Sequence, residues 1–228
     1  SRNAIISRTD MKAVIFDVDG TLYDQRKLRL RMLSDMFAAL LRRPRTLYDF
    51  KILWDFRKIR EKNLFLAETG IQERQYVWGA RVSGVPVERV ETVVTEWMVE
   101  KPLRHLSECR FDGTAELFDY LKKNRIRIGI FSDYPVIRKL EALGLAADEV
   151  VYALDEDVDR LKPDPKGLVV AAKKLGVSVR DCLFIGDRDD RDGECARRAG
   201  MPFLFLDRKQ NFYRSRKTHD RIDSWINQ

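Results

Sequence analysis

Cysteine and histidine are scarce in this sequence, and each shortage removes a class of chemistry. Cys109, Cys182 and Cys195 are an odd number with no C-x-x-C spacing, so neither a disulfide framework nor a structural zinc site is indicated and reduced, structural thiols are expected. The only histidines, His105 and His219, give no basis for Ser-His-Asp catalysis. No apolar run approaches the roughly 20 residues that cross a bilayer, and stretches such as Leu168 to Ala172 are of strand or helix size. The first ten residues lack a signal-peptide pattern, so a cytoplasmic location is the expectation, with Met11 a candidate natural start and Ser1 to Asp10 an extension. Internal repeats and low-complexity tracts are also missing.

What is present is a globular mixture. Across 228 residues, 44% hydrophobic and 35% charged side chains are enough for one well-buried domain carrying a smaller insertion. The net charge of +7 suits an anionic substrate, a nucleic acid or an acidic membrane surface. Basic and acidic residues alternate over most of the chain, so a solvated basic surface is the simpler reading.

Ala13 to Asp17 reads AVIFD, a buried strand ending in acids before a turn at Gly20. Ile126 to Phe131, Cys182 to Ile185 and Pro202 to Leu206 repeat the plan, ending at Ser132, at Gly186 with Asp187, and at Asp207, and Glu149 to Ala153 adds a further strand. Helical patterns over Ala115 to Lys123, Val136 to Leu143, Pro165 to Leu175 and Asp192 to Ala199 alternate with them. That order implies an α/β, Rossmann-like three-layer core built on a parallel sheet. Between about Asp24 and His105 no strand is convincing, and Leu30, Leu33, Phe37, Leu40 and Leu41 recur at helical spacing. The reading is therefore a core of residues 11–24 and 106–228, interrupted by an all-helical insertion of about four helices over residues 25–105.

In such sheets ligands collect beyond the carboxyl ends of the strands, where Asp17, Asp19, Asp187 and Asp192 all fall. Turn formation accounts for Asp17 and Asp19 taken alone, and helix capping for Asp192. Four converging carboxylates need a cation, and a hard divalent ion such as magnesium takes few carboxylates plus water and phosphate. Lys162 adds one positive charge, and Ser132 with nearby backbone amides can donate to an anion.

These residues resemble four short motifs of the haloacid dehalogenase superfamily, in the expected order. DVDGTL from Asp17 to Leu22 is similar to the first, Phe131, Ser132 and Asp133 to the second, Lys162 with Pro163 to the third, and GDRDDRDG from Gly186 to Gly193 to the fourth. The resemblance implies Asp17 as nucleophile forming an aspartyl-phosphate and Asp19 as general acid and base. It implies Ser132 holding a phosphoryl oxygen and Lys162 balancing charge. Magnesium would be held by Asp17, Asp187 and Asp192, with the main-chain carbonyl of Asp19. The carboxylate at Asp19 separates this chain from the metal-free dehalogenases. The helical insertion is similar to the cap of the phosphoglycolate phosphatase-like branch, which closes over the site.

The expected activity is thus hydrolysis of a small phosphorylated metabolite, with a phosphomutase or phosphotransferase as the alternative. A nucleic-acid or membrane-surface binding protein with a vestigial site is the less favoured third reading. Two departures from the family pattern stand out. Arg188, Asp189, Asp190 and Arg191 charge the fourth motif, which makes Asp190 a rival of Asp192 as metal contact. From Arg26 to Lys62 twelve basic residues face four acids, Asp35, Asp49, Asp55 and Glu61. That excess points either to a second anionic group or to a solvated helical face, and the solvated face is favoured. Trp54, Phe56 and Trp78 are at helical spacing and are expected in the core rather than on a base.

Overall fold

Val14 and Phe16 point to one side of the first strand, β1 (Ala13–Phe16), and Ala13 and Ile15 to the other, and all four are buried. This is the signature of a strand covered on both faces. The computed structural model describes residues 11–63 and 70–206 together with Tyr213, Ile222 and Ser224, so Ser1 to Asp10, Asp207 and His219 lie outside the described residues. β2 (Arg127–Ser132), β3 (Glu149–Tyr152), β4 (Cys182–Gly186) and β5 (Phe203–Phe205) complete one parallel sheet in the order β3-β2-β1-β4-β5. β1 is central, and the order reverses beside it, which opens a crevice at its carboxyl end.

Between β1 and β2 the chain makes α1 (Gln25–Arg42), α2 (Thr46–Lys62), α3 (Ile71–Ser83) and α4 (Val87–Val94). A π-helical turn, Thr95–Glu100, then joins α4 to α5 (Lys101–Cys109) without a loop. The core helices are α6 (Thr114–Lys123), α7 (Ile137–Leu143), α8 (Lys166–Lys174) and α9 (Glu194–Ala199). One face of the sheet packs Val14, Phe16, Ile128 and Ile185 against Leu117 and Leu121 of α6 and Leu140 and Leu143 of α7. The opposite face packs Ile15, Phe131 and Phe184 against Leu168, Ala171 and Ala172 of α8 and Cys195 of α9. Cys109, Cys182 and Cys195 are all free and buried. Burial raises each thiol, Cys182 to about 12, so they are inert packing groups.

The helical layer has its own core, in which Ile52, Phe56, Val90, Val93 and Trp97 are buried. Here the helical spacing marks a helix, α1, without marking its covered face. Leu30, Leu33, Phe37 and Leu41 are exposed, and so is Trp54 at 70%, while Leu28, Met32, Met36 and Ala39 form the inward stripe of α1. α1 carries two apolar stripes, and the neighbours of Leu28 decide which one is covered. The segment enters and leaves side by side: Tyr23 and Arg110 form an antiparallel bridge, Asp24 N–H donates to Cys109 O at 2.8 Å, and Phe111 N–H to Leu22 O at 3.2 Å. The position between residues 105 and 106 falls inside α5, where His105 Nε2 lies 2.7 Å from Asp35 Oδ2 of α1.

Close packing at α8 yields a direct expectation. A Cβ on Gly167 would come within 2.0 Å of the Phe131 ring, which is itself buried. Gly167→Ala is therefore expected to lower unfolding stability by about 1 to 3 kcal/mol, the usual range for overpacking a filled core, as read from urea denaturation.

Candidate functional site

Asp17 follows β1 directly, and its N–H donates to Ile185 O of β4 at 2.9 Å. Gly20, at φ 96°, allows a tight loop in which Thr21 and Leu22 N–H both donate to Val18 O. The turn brings Thr21 Oγ1 to Asp17 Oδ2 at 2.8 Å. Lys162, from the loop before α8, places Nζ 2.6 Å from Asp17 Oδ1 and 2.7 Å from Asp192 Oδ1. Asp192 stands on a π-helical turn, Asp189–Gly193, where its Oδ2 also accepts from Arg188 N–H at 3.1 Å. Gly186 permits this approach, since a Cβ there would lie 2.6 Å from Asp192.

One lysine is shared between two buried carboxylates, and the charges do not balance. Burial, with the like charges of Asp192 and Asp19, outweighs Lys162 and pushes the Asp17 carboxyl up to about 7. Burial alone would depress Lys162, but Asp17, Asp192 and Asp133 carry it above its ordinary value. The site therefore has an excess of negative charge, which a cation would offset.

Asp17, Asp187 and Asp192 each present an oxygen within 4.8 Å of the others. Magnesium holds oxygens at about 2.0–2.1 Å, which sets neighbouring ligands about 3 Å apart and opposite ones about 4.2 Å apart. Three hard carboxylate donors at this spacing fit that ion after small side-chain movement. Asp190 is not in this group. It is exposed and pairs with Arg188 at 2.6 Å.

Asp19 turns its carboxylate elsewhere. Oδ1 accepts from Tyr23 Oη at 2.5 Å and from Lys139 Nζ at 2.6 Å. Burial pushes this carboxyl up, yet Lys139 and then Tyr23 hold it below its ordinary value. Neither Lys139 nor Tyr23 stood out in the sequence. Lys139 does fall on the buried stripe of α7, three residues after Val136 and four before Leu143, and a lysine on that stripe is the signal that could have found it. Ser132 is buried at the end of β2, and its Oγ accepts from Tyr134 N–H at 3.3 Å.

Asp133 organises the rim. Its Oδ1 accepts from Lys162 N–H at 3.0 Å and its Oδ2 from Arg191 Nη2 at 2.8 Å. Burial raises this carboxyl less than Lys162, Arg191 and Arg60 lower it. The carboxyl end of α2 reaches the same rim. Arg60 Nη2 donates to Asp133 O at 2.6 Å, its guanidinium lies 3.9 Å over the Tyr134 ring, and Glu61 pairs with Arg188 at 3.1 Å and Arg191 at 3.5 Å. The helical layer is thus latched to the edge of the carboxylate cluster.

The model of one protein family, described as haloacid dehalogenase-like hydrolase, matches residues 11–200. Among curated proteins, the chain is 29% identical to a phosphoglycolate phosphatase of Xylella fastidiosa, over 85% of this chain and 79% of that one. It is also 29% identical to an N-acetylmuramic acid 6-phosphate phosphatase of Pseudomonas aeruginosa, over 86% and 81%. Among solved structures, a beta-phosphoglucomutase from Clostridium difficile superposes with TM-score 0.61 at 18% identity, covering 95% and 97% of the two chains. A HAD phosphatase from Thermococcus onnurineus gives 0.59 at 22% identity, covering 87% of each. At those identities the structures speak for the fold. No helix among the described residues is long and apolar enough to cross a membrane.

Proposed function

Because the chain belongs to the haloacid dehalogenase-like hydrolases and is a phosphohydrolase, we propose that it is a magnesium-dependent phosphatase cleaving a small-molecule phosphate monoester through Asp17. The observation that carries this reading is the Asp17 carboxylate, fixed by Thr21 and Lys162 beside Asp187 and Asp192. Names of the curated relatives support the substrate class.

Asp17 attacks phosphorus, so that an Asp17 Oδ–P bond forms as the P–O ester bond breaks. Lys162 holds Asp17 in place and offsets the charge of the phosphoryl group. Asp17, Asp187 and Asp192 with the main-chain carbonyl of Asp19 would hold a magnesium ion, which would supply positive charge to offset the phosphoryl group. The leaving oxygen takes a proton from Asp19, which picks it up from solvent when an arriving phosphate dianion disfavours its charged form. Asp19, again a carboxylate, then takes a proton from the water that cleaves the aspartyl-phosphate, and its lowered free-state value suits this second step. Ser132 donates to a phosphoryl oxygen. The helical layer acts as a cap, and the Arg60 and Glu61 contacts to the rim keep bulk water out during transfer.

The test is phosphate release from a generic aryl phosphate and a panel of phosphorylated metabolites, with magnesium and with chelator. Metal-dependent release is expected. Absence of turnover across the panel, or full turnover in chelator, would reject the proposal. A bisphosphorylated product without free phosphate would identify a phosphotransferase instead.

Lys139 supplies a further check. Lys139→Met is expected to cut kcat by about tenfold to a hundredfold, a modest part of what acid and base catalysis contributes. Loss of the ammonium removes a charge that lowers the Asp19 carboxyl, so the acidic limb of the rate profile should move to higher pH. A drop in kcat with an unmoved limb would mean that Lys139 only packs.

A further inference from the structure

Five cations gather around a cavity of about 520 Å³ in the helical layer, away from the carboxylate cluster. Arg42 and Arg43 come from the end of α1, Arg45 from the turn before α2, Arg89 from α4 and Lys101 from the start of α5. Two acids line the same hollow, and both are already engaged. Asp49 accepts from Arg89, and Glu96 pairs with Lys101 at 2.6 Å. Arg42, Arg43 and Arg45 have no ion-pair partner among the described residues. This hollow takes up the most basic part of the sequence, which the catalytic reading leaves unused.

Two local features point to an anion. α2 begins on Arg45 with no side-chain cap hydrogen bond, where Ser, Thr, Asp or Asn is the usual choice. A cation beside the positive end of a helix is unfavourable, and two more arginines stand next to it. Trp97 lines the cavity, 5% exposed, with the Lys101 ammonium 3.3 Å from its ring centre. Its buried indole N–H has no acceptor in hydrogen-bond geometry among the described residues, and lies close enough to the Asp49 carboxyl, which burial raises, to help lower it. Arg60, which meets the catalytic rim, lies 14 residues beyond Thr46 on the same helix, or about 21 Å at 1.5 Å per residue.

We propose that this cavity binds a small polyphosphate anion, free or as part of a nucleotide, through Arg42, Arg43 and Arg45 with the Trp97 indole N–H. Three unpaired guanidinium groups match an anion of several charges better than a single phosphate, since each can chelate a separate pair of oxygens. The volume is that of a small-molecule site. A nucleic acid would call for an extended track of cations, whereas these are gathered into one hollow.

The test uses the full chain, 15N-labelled and metal-free in chelator, titrated with inorganic pyrophosphate and separately with a single-stranded oligonucleotide. The Trp97 indole signal, assigned through Trp97→Phe, is expected to shift saturably with pyrophosphate. Arg42→Gln with Arg45→Gln should weaken that binding about tenfold or more, and Arg43→Gln alone should weaken it measurably should the double variant not fold. Lys122→Gln with Lys123→Gln, at exposed positions of α6, removes the same charge elsewhere and should leave binding unchanged. An unmoved indole signal, equal weakening in the lysine variant, or a shift only with the oligonucleotide would overturn the proposal. The readout is independent of turnover, so it stands or falls apart from the phosphatase reading.

Discussion

Asp17→Asn is expected to lower magnesium-dependent phosphatase turnover by roughly 10⁴-fold while leaving the fold intact. The amide keeps the shape of the side chain and lacks the nucleophilic oxygen. The same change tests the electrostatics. In the metal-free protein the Asp17 carboxyl is pushed up from 3.8 to about 7. A group whose folded value is raised contributes stability that is present below about pH 4 and lost as pH rises through 7. Above pH 7 the ionised carboxylate therefore weighs against the folded state, and the neutral amide does not. In chelator at pH 8 the variant should melt at or above the wild-type temperature, and its advantage should shrink as pH falls from 7 to 4. Magnesium should raise the wild-type melting temperature more than that of the variant. Melting curves across pH with paired activity assays decide the matter. A variant that melts well below wild type contradicts the charge argument, and one that retains turnover contradicts Asp17 as nucleophile.

Lys162→Met should be the most damaging single change to stability. It leaves Asp17 and Asp192 buried without their shared cation, and Asp133 loses a nearby positive charge. Breaking a buried pair from one side costs about 3 to 5 kcal/mol. For a chain of this size that is a urea midpoint lower by about 1 to 2 M. Because the damage comes from unbalanced negative charge, magnesium should restore part of it, and double replacement with Asp192→Asn should restore part without metal. If neither recovers the midpoint, the loss is one of packing and the charge reading of the site is wrong. Activity should be lost in every case.

Much of the architecture was legible because strands and their acidic ends carry local signals. Asp17, Asp187, Asp192 and Lys162 each sit beside a strand or a proline-stiffened loop, and the parallel sheet brings them together without further information. The order β3-β2-β1-β4-β5 was not readable, since it depends on which way each crossover turns. Lys139 and Tyr23 were missed for a related reason. Their value lies in meeting Asp19, and the meeting is made by α7 docking at the end of β1. In the helical layer the helices were legible and their covered faces were not. Leu30, Leu33, Phe37 and Leu41 have helical spacing, but spacing names a stripe and does not say whether anything covers it. Trp54 faces solvent on the same logic, while Phe56, two residues on, is fully buried.

The rung between Tyr23 and Arg110 has a consequence for how such a molecule can change over time. Where a long excursion departs and returns at one point, its two ends are already pinned together, and its length can vary with little strain on β1. Parts of it that touch neither the sheet nor the rim, such as the exposed face of α1, can be resurfaced without disturbing Asp17. The outward side of the helical layer is in this way free to vary apart from the carboxylate cluster that the sheet holds.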